Sequence, residues 1–231
     1  MNNSFDAYMD CVKAAIKAVI EPFKRFLDVF SSPLISFMCV CVVFAAMLAF
    51  CIFRYRNSFK AEIKKPKTLI VCALMMAINI ILSYYEIRFG AYLRIGFGFV
   101  TQPIVTAMFG PIPGCMTGML QDILSFILHP TGAYIPAYTM CVGISGMIYG
   151  IMLYNKPVTF ARVFLTKLIV VVFSNIILNT VALAPTVGSG FAGIFPARLI
   201  KNILLLPVQA VIVYLILKYI MPHMRRQEGK V

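Results

Sequence analysis

A stripe of polar side chains lies within the last long apolar run of the chain, in the stretch FPARLIKNILLLPVQ at residues 195–209. Each helical residue advances about 100° around the axis, so Arg198, Lys201 and Asn202 share one arc and Gln209 returns to it. A basic side chain at the centre of a membrane helix costs roughly 2.5–3.5 kcal/mol, and less near the interface. Extension of both cations to lipid head groups would lower that cost but would not explain the two amides. The stripe favours a site for a small anion.

A second polar pair lies one segment earlier in the chain. Asn175 and Asn179 are four residues apart, which stacks them on one face of a helix. Asparagine inside a membrane span can simply hydrogen-bond a neighbouring helix. Two asparagines opposite a cationic face fit a ligand pocket better.

Outer loops add further candidate ligand-binding residues. Arg94, in AYLRIGFGFVTQP, supplies a third cation, and Gln102 opens the next helix. Tyr134 and Tyr138 flank the turn HPTGAYIPAY and offer flat faces for stacking. Apart from the N-terminal region, Glu86 is the only acid expected on this side. The favoured ligand is therefore a small anion that also carries a planar polar ring.

The composition places these residues in an integral membrane protein. Hydrophobic residues make up 61% of the chain and charged residues 13%, with a mean hydropathy of +0.90. A soluble domain of this size needs more polar surface. The net charge of +13 is assigned to cytoplasmic loops rather than to nucleic-acid binding. The seven cysteines form no CxxC pair and predict neither a zinc site nor a disulfide framework.

The apolar runs predict seven membrane spans, each a helix, since about 20 apolar residues cross the hydrocarbon. They cover residues 34–53, 68–85, 100–109, 114–128, 136–154, 164–184 and 196–219. Residues 5–30 precede them and predict an amphipathic helix at the membrane surface. GPIPG at residues 110–114 predicts a tight turn between the third and fourth spans.

Basic residues orient the spans. They concentrate in residues 54–67, in the loop 155–167 with Lys156, Arg162 and Lys167, and in the tail. The positive-inside rule therefore puts these loops and the C-terminus in the cytoplasm and the N-terminus outside.

Asp122 lies inside a predicted span, where an acid is a functional hypothesis by default. It could relay protons or pair with a Lys or amide group across the bundle, and its isolation favours the structural role. His129 and His223 lie at different depths, which argues against a metal site with Asp122. GxxxxGK[ST] is missing, so we do not expect nucleotide hydrolysis by this chain. The sequence also shows no nucleophile–base arrangement, so we expect no other enzymatic activity.

Small residues at four-residue spacing predict close helix contacts. They are Gly110, Gly114 and Gly118, then Gly146 and Gly150. Ala73 and Ala77 form a flat patch in the same way. From spacing alone, that patch suits internal packing and partner docking equally well.

Several motifs occur together in a characteristic order. They are LRIGFGFV, FGPIPGCMTGMLQDIL, PTGAYIPAYTM, GMIYGIMLY, NIILNT and FPARLIKN. Together they resemble the folate-specific substrate-binding (S) components of energy-coupling factor (ECF) transporters, over roughly residues 67–219. The resemblance implies an all-α membrane fold, a six-helix S-component bundle whose ligand pocket opens outward under outer loops. It also implies folate as the ligand, and a bacterial plasma-membrane location.

The resemblance further implies partners: a membrane-embedded coupling protein and two cytoplasmic ATPases. These would hydrolyse ATP, so no cofactor is expected on this chain. The Ala73-x-x-x-Ala77 spacing is similar to the family's docking patch for the coupling protein. The implied ligand-binding residues are Arg94, Gln102, Tyr134, Tyr138, Asn175, Asn179, Arg198, Lys201 and Asn202.

The first 60 residues depart from this pattern, because a six-helix core does not need them. We expect residues 1–60 to form the amphipathic helix and an extra span, 61–222 the substrate-binding domain, and 223–231 a basic cytoplasmic tail. Ala137 stands where the family pattern has glycine, which affects the outer turn.

Two alternatives stay open from the sequence. The same fold could serve another vitamin, since pockets vary on one fold. The chain could instead be a stand-alone secondary transporter driven by protons through Asp122.

Overall fold

The computed structural model describes the backbone of residues 33–63, 65–84, 87–89, 93–95, 98–128, 134–182 and 191–228. Side chains are described at 34–56, 65–82, 98–128, 134–182 and 199–222. The predicted amphipathic helix at residues 5–30 lies outside the described residues.

Helices dominate the described part of the chain. They are α1 (Pro33–Ile63), α2 (Pro66–Tyr84), α3 (Thr101–Phe109), α4 (Pro111–Leu128), α5 (Pro136–Leu153), α6 (Phe160–Ile169) and α7 (Phe191–Glu228). A π-helix, Val170–Leu178, continues directly from α6. Within the described residues, four segments are long and apolar enough to cross a membrane: Leu34–Arg56, Pro136–Leu153, Phe160–Ala182 and Leu199–Pro222. The expectation of an all-helical membrane protein is confirmed.

One connection between helices contains a short hairpin. Strands β1 (Ile87–Phe89) and β2 (Leu93–Ile95) pair antiparallel, and a 3₁₀ turn at Gly98–Val100 leads from them into α3. Both strands have three residues and belong to a connection, so they leave the helical class unchanged.

Helix α5 is the centre of the bundle. It packs against α1, α3, α4, α6 and the π-helix. Its residues from Gly143 to Gly150 are all buried, and Ile144 and Met147 have no exposed surface. An apolar surface surrounded by other helices explains why this span carries no charged side chain.

The predicted close helix contacts are confirmed where α4 meets α5. A Cβ atom added at Gly146 would lie 2.7 Å from the carbonyl oxygen of Gly114, and one at Gly150 would overlap the backbone of Pro111. Only hydrogen atoms fit at these positions. The four-residue glycine spacing therefore sets the distance between the two helices.

The turn before α4 is shorter than GPIPG predicted. Gly110 alone breaks the helix, with φ at 92°, and the helix resumes at Pro111. Pro111 and Pro113 fall in the first turn, where a missing N–H leaves no intrahelical hydrogen bond unmade. The expectation that both prolines and Gly114 belong to the turn was wrong.

Helix α1 is a membrane-length addition to the bundle. Its backbone departs from helical geometry at Tyr55, with φ −120° and ψ 17°. On the inner face Val40 and Cys51 are fully buried, and Ser36 Oγ donates a hydrogen bond to the carbonyl oxygen of Val181. The apolar outer face, with Phe53 91% exposed, suits contact with lipid. Helix α1 is therefore part of the packed bundle.

Candidate functional site

The hairpin and helix α7 are in contact, and each carries predicted cationic positions. Strand β2, which carries Arg94, and the 3₁₀ turn after it both contact α7. Helix α7 contains Arg198, Lys201 and Asn202. The side chains of Arg94 and Arg198 lie outside the described part, whereas those of Lys201 and Asn202 are half-buried. The fold thus brings into contact the two elements in which the sequence predicted cationic ligand-binding residues.

The hairpin register adds a basic residue that the sequence reading did not select for the site. Arg88 of β1 is the direct partner of Arg94 of β2. Residues directly opposite in an antiparallel pair occupy the same face of the ribbon, and like charges there are unfavourable.

Asn79 fixes the 3₁₀ turn that follows the hairpin. It is 4% exposed, and its Nδ2 donates to the carbonyl oxygen of Gly98 at 2.7 Å and to Thr101 Oγ1 at 2.5 Å. A buried amide with two partners on the turn holds the start of α3 against α2. Sequence reasoning missed this residue, although a lone amide in the apolar run 68–85 was a visible signal.

Gln102 binds the neighbouring helix. Its Nε2 donates to the carbonyl oxygen of Val142 on α5 at 2.8 Å. A Cβ added at Gly118 would lie 2.6 Å from that nitrogen, and one at Gly146 would lie 3.0 Å from it. The amide nitrogen is thus used in helix packing, and the side chain is half-buried.

Tyr134 belongs to a hydrogen-bonded chain at the ends of α4 and α5. Thr139 Oγ1 donates to Asp122 Oδ2 at 2.6 Å, and Tyr134 Oη lies 2.8 Å from Thr139 Oγ1. Because Thr139 gives its proton to the carboxylate, Tyr134 is the donor to Thr139. The Tyr134 ring also packs on Phe126, with centroids 5.1 Å apart. Asp122 accepts a hydrogen bond from a hydroxyl group. This agrees with a structural role, but the partner is not the Lys or amide group that we expected.

One of the two predicted asparagines lies in the π-helix and the other directly follows it. Asn175 is within it, Asn179 follows it directly, and both are half-buried. Just before them, Ser174 Oγ donates to the carbonyl oxygen of Cys141 at 2.9 Å, and Ser145 Oγ donates to Ser174 Oγ at 2.7 Å. These bonds attach the π-helix to α5. π-Helical turns in long helices are frequent at functional sites.

Tyr138 and the alanine pair differ in their surroundings. Tyr138 is half-buried and packs against the main apolar core. Ala73 and Ala77 are both exposed on α2. Neighbouring Ile70 and Leu74 are 67% and 55% exposed. The patch thus faces outward from the described bundle.

Lys167 is a functional candidate that the sequence analysis placed wrongly. We expected it in a cytoplasmic loop, but it lies in α6 and is 4% exposed. Its Nζ atom lies 5.2 Å from the ring centroid of Phe99 and 6.0 Å from that of Tyr149. Helix α6 begins at Phe160, seven residues before Lys167, so the lysine lies well inside the helix rather than in the loop that precedes it.

Comparisons with known proteins agree on one family. A family model described as the substrate-specific component of ECF transporters matches residues 67–217. The folate transporter FolT of Clostridium novyi is 32% identical over 151 residues, which cover 65% of this chain and 88% of that protein. FolT of Leuconostoc mesenteroides is 25% identical over 154 residues, covering 64% of this chain and 83% of the relative.

A solved structure of FolT bound with folic acid is similar in fold. It aligns with a TM-score of 0.60 and 28% sequence identity, over 65% of this chain and 92% of its own. Helix α1 lies before the residues that the family model matches.

Proposed function

Because this chain belongs to the family of ECF transporter substrate-specific components, we propose that it captures folate at the outer side of the membrane for an ATP-driven importer. It is a multi-pass protein of the bacterial plasma membrane with a transport role. The observation that carries the choice of ligand is the contact of strand β2 with helix α7. It joins Arg94 to the helix of Arg198, Lys201 and Asn202, in a chain similar to two folate transporters.

The proposed site binds the two ends of the ligand with different sets of residues. Folate has a glutamyl dicarboxylate at one end and a pterin with amide-like edges at the other. Arg94, Arg198 and Lys201 bind the carboxylates through charge-assisted hydrogen bonds. Asn175 and Asn179 bind the edges of the pterin.

Other predicted residues complete the site in different ways. Asn202 continues the polar stripe of α7, and Gln102 keeps its amide nitrogen on Val142, leaving its carbonyl oxygen for the ligand. Tyr134 and Tyr138 line the outer turn and stack on flat parts of folate. In this arrangement Tyr134 is held in place by Thr139 and Asp122.

Transport requires the other components of the importer. We propose that the exposed Ala73 and Ala77 patch contacts the membrane-embedded coupling protein, because small side chains let two helices approach closely. Two cytoplasmic ATPases supply the energy, so this chain uses no cofactor. Exposure of the patch supports docking over internal packing.

Calorimetry on the purified full chain tests the ligand. Folate is compared with riboflavin, thiamine and biotin at equal concentrations, and the small molecule that copurifies is identified by mass spectrometry. We expect folate to bind far more tightly than the other three. Tighter binding of any other vitamin would overturn the assignment while leaving the family membership intact.

A further inference from the structure

Lys167 lies inside the bundle without an acidic neighbour among the described side chains. Among the described side chains, Asp122 is the only carboxylate. Asp122 is at the other end of the bundle, where it accepts from Thr139 at 2.6 Å. An uncompensated buried charge costs several kcal/mol, and a lysine within a membrane span is a functional candidate for that reason.

Lys167 Nζ and Tyr149 Oη both keep unused hydrogen-bonding capacity. Tyr149 is 3% exposed and Lys167 is 4% exposed. In the described part of the chain neither polar atom has a hydrogen-bond partner, yet no fully enclosed side-chain nitrogen or oxygen lacks one. Both atoms therefore keep some accessible surface, and a polar group can reach the space beside each of them.

The flanking rings decide what kind of group fits that space. Nζ lies 5.2 Å from the Phe99 ring and 6.0 Å from the Tyr149 ring, and each face stabilises a cation. The three N–H donors of the ammonium group still lack hydrogen-bond acceptors among the described residues. A neutral carbonyl oxygen or ring nitrogen accepts from these donors without the desolvation of a second charge.

The position of this space links it to the proposed ligand site. Phe99 lies in the 3₁₀ turn between Arg94 and Gln102, and Asn79 holds that turn through Gly98. Phe160 begins helix α6 at its cytoplasmic end. Lys167 lies about 10 Å further along this helix, at a rise of 1.5 Å per residue. The space is thus deeper in the bundle than the cationic positions near the hairpin.

We propose that Lys167 recognises the heterocycle of the transported ligand at the inner end of its chamber. The ammonium donates to the 4-oxo edge of the ring, and the ring lies beside Phe99 and Tyr149. This inference rests on the proposed function, and it orients the ligand with its heterocycle inward and its carboxylates outward.

The test compares ligands that differ at the proposed contact with a ligand that keeps only the heterocycle. Full-length wild type, Lys167→Met and Lys167→Arg are titrated with folate, with 4-aminofolate (aminopterin) and with the neutral fragment 6-hydroxymethylpterin. The matched control is Lys156→Met, since Lys156 donates to the carbonyl oxygen of Ile151 at 2.9 Å outside the spans.

We expect wild type to prefer folate over aminopterin by about 10- to 100-fold, as for a hydrogen bond to a charged group. Lys167→Met should abolish that preference and weaken 6-hydroxymethylpterin and folate equally. Lys167→Arg should retain part of the preference, and Lys156→Met should bind as wild type does. The ligand-free melting temperature of Lys167→Met should equal or exceed that of wild type, because a buried charge has been removed.

Other outcomes distinguish a failure of the proposed function from a failure of the inference about Lys167. A wild type that binds no folate overturns the proposed function. If wild type binds folate but does not distinguish aminopterin, or if Lys167→Met keeps the preference, the inference is wrong and the proposed function stands. Loss of p-aminobenzoylglutamate binding in Lys167→Met, with the pterin fragment unaffected, also overturns it, since the lysine would then hold a carboxylate. If Lys167→Met does not fold, Lys167→Arg decides, since an unchanged preference for folate in that variant would overturn the inference.

Discussion

The side-chain amide of Asn79 donates to the carbonyl oxygen of Gly98 at 2.7 Å, across a separation of 19 residues. This bond joins helix α2 to the 3₁₀ turn that connects the hairpin to α3. It therefore helps to position two residues. Arg94 precedes the turn and belongs to the proposed ligand site, and Phe99 lies within the turn beside Lys167.

Replacing Asn79 with Leu should destabilise the turn. The change leaves the Gly98 carbonyl and Thr101 hydroxyl without their shared donor, a loss worth about 1–3 kcal/mol. We expect a lower melting temperature and weaker folate binding, measured by thermal unfolding and calorimetry. Ile78→Ala, at a 37% exposed position of the same helix, is the control. Unchanged binding in Asn79→Leu would mean that the turn does not shape the site.

Glycine substitutions should separate backbone clashes from soft contacts between α4 and α5. An added Cβ at Gly150 meets the Pro111 backbone, whereas one at Gly143 meets the flexible Met119 side chain at 3.0 Å. Overpacking of a rigid contact costs about 1–3 kcal/mol. Gly150→Ala should therefore lower the melting temperature clearly more than Gly143→Ala. Equal effects would show that the helix contact yields easily.

Bulky side chains on the exposed patch of α2 should block transport alone. Ala73→Leu or Ala77→Leu adds volume where close helix docking is proposed, but both positions are exposed. We expect folate binding to stay at the wild-type level while uptake in cells that contain the coupling protein and ATPases is lost. Ala45→Leu, at an exposed alanine of α1, is the matched control. If binding falls together with uptake, the patch serves internal packing instead.

Asp122→Asn should separate ATP-driven import from proton-coupled transport. The asparagine still accepts a hydrogen bond from Thr139, so the connection between α4 and α5 is kept while the titratable proton is removed. We expect uptake to continue in Asp122→Asn cells, and wild-type uptake to continue when a protonophore removes the gradient and ATP is maintained. Uptake that depends on the gradient and stops in the variant would favour a secondary transporter.

The fold was largely predictable because membrane helices follow local rules. Apolar length marks the spans, and glycines four residues apart mark close contacts, as Gly146 and Gly150 illustrate. The start of α6 was predicted four residues late, at residue 164 rather than Phe160. Basic residues near a span end look like loop residues, and Lys167 was therefore counted in the cytoplasmic loop 155–167 although the predicted span 164–184 also contains it.

The surroundings of Lys167 and Asn79 could not be predicted from local sequence. Phe99 is 68 residues from Lys167 in the chain, and only the packing of the 3₁₀ turn brings the two together. The π-helix at Val170–Leu178 has no composition signal in an apolar run. It changes the hydrogen-bond spacing from four to five residues, so the expected phase of Asn175 relative to α6 is altered as well.

The last prediction concerns the polar stripe of α7 and the asparagines opposite it. Arg198→Ala or Lys201→Ala should weaken folate binding by roughly 1.5–3 kcal/mol, as for a lost charged hydrogen bond. Asn175→Ala or Asn179→Ala should weaken 6-hydroxymethylpterin as much as whole folate, because the pterin is common to both. Removing the glutamyl group from the ligand should abolish the effect of whichever cation binds it. Calorimetry on the four variants measures both contrasts. If both cation variants bind folate as wild type does, Arg198 and Lys201 only extend to the lipid head groups.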